Sequence, residues 1–100
     1  MELKIVRGSG ETTAFLIGRL DTPASLEIAP QMNALAEDAA GKVILDCTEL
    51  SYISSSGLRL FITLRKAAAA KGGKIIVRNI TNEIRSVFMM TGFLNLFEIQ

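Results

Sequence analysis

Histidine and tryptophan are absent from this 100-residue chain, and cysteine and tyrosine occur once each. Without histidine there is no Ser-His or Cys-His catalytic pair, no imidazole proton shuttle and almost no route to a zinc site. The lone Cys47 cannot close an internal disulfide or a CxxC pair, which fits a reducing, cytoplasmic setting. No apolar run approaches the roughly 18 residues of a membrane span, and Met1-Glu2-Leu3-Lys4 does not open a secretory signal, so no direct membrane insertion is expected. Net charge is also small, +1, which argues against a dedicated nucleic-acid binder. What is present is an ordinary globular balance, 49% hydrophobic and 21% charged, in a length that supports one domain spanning residues 1–100.

Charge is distributed less evenly than its sum. Residues 1–58 carry −4 and residues 59–100 carry +5, read either as solvated helix faces or as a polarised surface that orients a partner protein.

Leu3 and Ile5, then Ala14-Phe15-Leu16-Ile17, flank Gly8-Ser9-Gly10-Glu11 and predict an opening hairpin. The Gly8-x-Gly10 pair lacks the remainder of a phosphate-binding loop and precedes a strand, so it reads as a turn. A helix is expected from Asp21 or Thr22, with Pro23 in its first turn. Its stripe is Leu26, Ala29, Asn33, Ala36 and Ala40, with Met32 and Leu35 beside it. A kink or a restart is expected at Pro30, and a stop at Gly41. Val43-Ile44-Leu45 predicts a short strand covered on both faces, with Cys47 buried beside it. A second helix over 57–71 carries the stripe Gly57, Leu60, Phe61, Leu64, Ala67 and Ala68 and stops at Gly72-Gly73. Lys74–Arg78 is a further buried strand. Thr81 or Asn82 caps a third helix that ends at Thr91-Gly92, and Asn95–Ile99 closes the chain as a strand. The order β-β-α-β-α-β-α-β implies an α/β fold, a mixed sheet of four to five strands with helices packed on it.

Catalysis finds little support. No Ser-x-x-Lys replaces the missing histidine, the acidic residues are scattered, and metal-ligand spacings are absent, so no enzyme, metal or cofactor is expected. The unusual feature is Ser54-Ser55-Ser56-Gly57 between an extended segment and a helix. One serine suffices to cap a helix, contributing about 1 kcal/mol. Three leave hydroxyls without that duty, and a side-chain-free Gly57 leaves them accessible. A phosphate on such a serine would sit at a helix N-terminus, leave the fold standing and add up to about two negative charges to a docking surface. The segment therefore reads either as a cap or as a binding switch.

At these residues the chain resembles the STAS domain, shared by bacterial anti-sigma factor antagonists and the cytosolic parts of sulphate transporters. The matching segments are Gly18-Arg19-Leu20-Asp21, Val43-Ile44-Leu45-Asp46 and Leu50-Ser51-Tyr52-Ile53-Ser54-Ser55-Ser56-Gly57-Leu58, with Gly72-Gly73 and Met90-Thr91-Gly92-Phe93. The resemblance implies an anti-sigma factor antagonist that binds an anti-sigma factor serine kinase. It implies phosphorylation on Ser55, the serine after the family's Asp position, release by that phosphate, and resetting by a serine phosphatase. Ser54 stands where the family has Asp, which keeps a cap and removes a charge. The same resemblance places Asp21 near the switch serine. Ser54, Ser56, Gly57, Leu58, Arg59 and Ile62 are candidate partner-binding residues, with Leu58 and Ile62 equally readable as core edge. Family members often continue into another helix beyond the position of Gln100, so the face it would cover is expected to be exposed here or to pack in a homodimer. The alternative function is a STAS interaction subunit of a transporter or signalling complex that never cycles phosphate.

Overall fold

The computed structural model describes residues Met1–Gln100. Strand β1, Glu2–Gly8, turns through Ser9-Gly10 into β2, Glu11–Leu20, with Gly8 paired to Glu11 and Gly10 at φ +71°. Such a two-residue connection needs positive φ, which glycine adopts without a Cβ penalty. The remaining strands are β3, Lys42–Ile53, β4, Lys74–Arg78, and β5, Glu98–Ile99. Helix α1, Thr22–Ala34, joins β2 to β3; α2, Ser55–Lys71, joins β3 to β4; α3, Asn82–Thr91, leads toward β5. The sheet runs β1-β2-β3-β4-β5, antiparallel at the hairpin and parallel throughout the rest. The mixed α/β sheet expected from the order of elements is therefore present, with five strands.

Alternation along the strands fixes which residues face the helices. Val43, Leu45 and Cys47 of β3 and Ile75 and Val77 of β4 join Ile28, Met32, Phe61, Leu64, Ile84 and Phe88 in one apolar core. Ile44 and Ile76 are buried as well but lie outside that cluster, on the face the helices leave free. The run 43–45 is buried throughout, Ile44 at 4% exposure, and so reads as continuously apolar, but the helices cover one face of it and not both as expected. The end of the chain is anchored by rings: Phe61, Phe88, Phe93 and Phe97 pack with centroids 5.8–6.3 Å apart.

Five further expectations are corrected. Strand β3 does not stop near Asp46 but runs twelve residues to Ile53. Its second half has lost β4 as a neighbour and pairs with β2 alone, so Thr48, Glu49, Ser51 and Tyr52 are exposed and hide the strand in a polar stretch. Helix α1 buries Ser25, Ile28 and Met32, whereas Leu26 is 75% exposed. The buried serine disguises the stripe, because its hydroxyl donates to the Asp21 carbonyl at 2.8 Å and needs no water. Pro30 lies inside α1 without dividing it, on the exposed side of the helix, as does Leu26, whose carbonyl it cannot bond. The helix yields at Leu35–Asp38 to a 3-10 turn, so Gly41 is not its stop. Strand β5 is two residues long, because Phe93–Asn95 forms a 3-10 turn first.

Candidate functional site

Strands β2 and β3 outrun β4, and their ends are paired, Leu20 with Ile53. Each strand is followed by one extended residue and then a helix. After β2, the Asp21 carboxylate accepts the Ala24 amide at 3.0 Å; after β3, the Ser54 hydroxyl oxygen accepts the Gly57 amide at 3.2 Å. The Ser54 amide donates to the Leu20 carbonyl at 2.8 Å, which ties the two helix starts together. Both helices thus begin side by side at the carboxyl edge of a parallel sheet, the position where α/β folds usually carry their function.

The three serines are not equivalent in this setting. Ser54 is buried and occupied as the cap; Ser55, the first residue of α2, is exposed; Ser56 is half-buried. Among the other candidate residues, Arg59 is exposed, while Ile62 and Asp21 are half-buried. Leu58 is 6% exposed and belongs to the core, so its side chain is no part of the outer surface. Gly57 is buried too, which corrects the picture of a bare, accessible glycine. A Cβ there would come within 2.8 Å of Leu20 Cγ and 2.9 Å of Ile53 Cγ1, so glycine lets α2 descend onto the ends of β2 and β3. Gly57→Ala is expected to destabilise the fold by about 1–3 kcal/mol through overpacking. Urea unfolding measures this, and a midpoint unchanged from the parent would remove the close-approach explanation.

Other features escaped the sequence reading. Asp46, 5% exposed, accepts the Thr48 hydroxyl at 2.6 Å and the Thr48 amide at 3.0 Å on one oxygen. Its other oxygen takes Nε and a terminal nitrogen of Arg78, both at 3.1 Å, and Asn79 at 3.4 Å. Burial pushes this carboxyl up, and the bonds from Thr48 together with the hydrogen bonds and charge of Arg78 more than reverse it, so it titrates below the ordinary carboxylate value. The signal in the sequence is a carboxylate directly after the apolar run 43–45, yet its partner lies 32 residues away. Next to it, burial and then the Asp46 charge push the Cys47 thiol up to about 12, leaving a neutral, inert side chain, in keeping with its expected burial. Arg19 lies over the Tyr52 ring, 4.4 Å from its centroid, on the extension of β2 and β3.

No depression of the surface opens at Ser55. The shallow ones lie between α2 and the end of the chain, around Arg65, Ala68 and Leu96, on the helix-free face around Phe15 and Ile17, and at the β1–β2 hairpin around Gly8 and Ser9. Ser55 thus presents an exposed hydroxyl outside these depressions.

Residues 4–100 match the STAS domain. The chain belongs to the STAS family. Across 99 residues it is 27% identical to BtrV of Bordetella bronchiseptica, described as an anti-sigma factor antagonist, covering 99% of this chain and 85% of that protein. Among solved structures, the anti-sigma factor antagonist SpoIIAA in its unphosphorylated form aligns with a TM-score of 0.75 at 21% identity, covering 99% of this chain and 87% of that one. The phosphorylated form of the Bacillus cell fate determinant SpoIIAA gives 0.74 at 22% identity, covering 99% and 91%. An anti-sigma factor antagonist from Mycobacterium paratuberculosis gives 0.81 at 15% identity, covering 98% and 83%. These likenesses establish the STAS fold of the chain. The expectation of a regulatory protein without an active site agrees with this kinship, since the relatives are anti-sigma factor antagonists. No helix of this STAS domain is long and apolar enough to cross a membrane.

Proposed function

We propose that this STAS domain is an anti-sigma factor antagonist whose switch is Ser55. Unphosphorylated, it binds an anti-sigma factor serine kinase; a phosphate on Ser55 releases it, and a serine phosphatase resets it. The observation that carries this reading is the division of labour at the start of α2: Ser54 is buried and capping, while the next hydroxyl is exposed and free of structural duty. A phosphate there leaves the cap intact, and it alters the charge of a surface without refolding it. The near-equal likeness of this chain to the unphosphorylated and phosphorylated forms of SpoIIAA is in keeping with a modification that leaves such a fold standing.

The test is peptide mapping by mass spectrometry of residues 43–59 from the protein isolated from its native cell, alongside the Ser55→Ala variant. Phosphate on the peptide of the parent, localised to Ser55 and lost in the variant, is the expected result; phosphate on Ser54 or Ser56 overturns the assignment. Stability separates the two roles. Ser54→Ala loses a cap and is expected to cost about 1 kcal/mol, whereas exposed Ser55→Ala stays within about 0.5 kcal/mol of the parent.

The second reading, a STAS interaction subunit that does not cycle phosphate, is favoured by Ser54 standing at the family's Asp position. It predicts no phosphate under any growth condition and a partner complex indifferent to ATP.

A further inference from the structure

Helix α2 carries basic side chains only: Arg59, Arg65, Lys66 and Lys71, with no Asp or Glu in its seventeen residues. Two of these cations are occupied, Arg65 Nε donating to the Leu96 carbonyl and Lys71 Nζ to the Ala36 carbonyl, each at 2.6 Å. Arg59 is different. It is the only charged side chain in the first ten residues of α2, it is exposed, and its guanidinium takes part in no ion pair or side-chain hydrogen bond; only its carbonyl is used, by the Thr63 hydroxyl. It stands four residues after Ser55, which on a helix places the two side chains one above the other on the same face.

We propose that Arg59 is the intramolecular partner of a phosphate on Ser55, and that phosphorylation withdraws this cation from the docking surface at the same moment as it adds negative charge. The inference rests on the reading of Ser55 as the modified residue. An anion placed four residues N-terminal to a cation is the favoured orientation of such a pair, and a guanidinium presents its parallel N–H groups to two phosphate oxygens at once. The unphosphorylated domain then offers a partner an unpaired guanidinium beside a neutral hydroxyl. The phosphorylated domain offers neither. The other charges at the joined ends of β2 and β3 are Asp21, the cap of α1, and Arg19 at the end of β2. Asp21 opposes a phosphate, and Arg19 is engaged over the Tyr52 ring.

Phosphoserine installed at position 55 during translation allows a test that needs no kinase. The probe is the phosphate itself, titrated by phosphorus NMR in the full chain and in the Arg59→Ala, Arg59→Lys, Arg19→Ala and Lys66→Ala variants, with thermal melts to verify folding. In Arg59→Ala the titration midpoint is expected to rise by roughly half a pH unit, with Arg59→Lys between it and the parent and the other two near the parent. An Arg59→Ala midpoint equal to the parent's, or an equal rise in Arg19→Ala or Lys66→Ala, overturns the pairing. Because the phosphate is installed without the cell's machinery, failure here is distinct from failure to find phosphate on Ser55 in the native cell, which would instead remove the proposed function.

Discussion

Gly73→Ala is expected to destabilise the domain by more than about 3 kcal/mol, beyond the ordinary range for overpacking. A Cβ at this position would fall 1.6 Å from the Ala39 carbonyl oxygen and 2.6 Å from both the Ala39 carbonyl carbon and the Gly41 oxygen. Those atoms are backbone, so no rotamer change relieves the clash; the segment entering β3 must separate from the segment entering β4. The Lys74 amide bond to the Gly41 carbonyl, 3.0 Å long, lies in that same junction and would be lost with it. In a 100-residue domain, where each kcal/mol moves the melting temperature by about 4–8 °C, the fall should exceed about 12 °C. The neighbouring glycine provides the control. Gly72 is the left-handed C-cap of α2 at φ +73°, and a Cβ there would meet nothing within 4 Å. Gly72→Ala therefore carries only the backbone penalty, about 1 kcal/mol. Equal losses for the two variants, measured by urea unfolding, would show that backbone conformation rather than close approach governs both sites.

The second large effect is expected at Asp46. Asp46→Ala leaves the Thr48 amide and hydroxyl and the Arg78 guanidinium without their acceptor. Removing one member of a buried pair costs roughly 3–5 kcal/mol, but the Arg78 side chain is 33% exposed and can recover water, so a loss of about 2–3 kcal/mol is expected. Acid should act on the same group. Its folded-state titration lies below the unfolded value, so its contribution is present above about pH 4 and is lost as pH falls through the folded value. Stability measured by urea unfolding from pH 7 down to pH 3 should decline in the parent more steeply than in Asp46→Ala. Parallel pH profiles would mean that this carboxylate does not titrate with folding.

The candidate site was legible in the sequence to the extent that its interactions are local. Ser54 caps Gly57 three residues on, Asp21 caps Ala24 three residues on, and both pairs are visible as residue types at a fixed spacing. The contrast between Ser55 and its neighbours is implied by the family resemblance and is not readable from the residues themselves. Three consecutive serines differ only in how the helix turns each one toward the sheet or away from it. Gly57 stands out in the sequence as a bare position, but its lack of a side chain serves Leu20 and Ile53 beneath the helix, not access from outside. Leu58 reads from the sequence as surface or core edge alike, and packing places it in the core.

Legible in the sequence were the order of strands and helices, the hairpin turn, the burial of Cys47, the STAS resemblance and a short choice of cap for each helix (Asp21 or Thr22, the serine run, Thr81 or Asn82), because turn, cap and periodicity are written within about four residues of one another. Tertiary structure alone decided the length of β3, the buried face of α1, the junction at Gly73 and the Asp46–Arg78 pair. Each of these depends on segments far apart in the chain, as with the 32 residues between Asp46 and Arg78, and is fixed by which atoms meet once the sheet has formed.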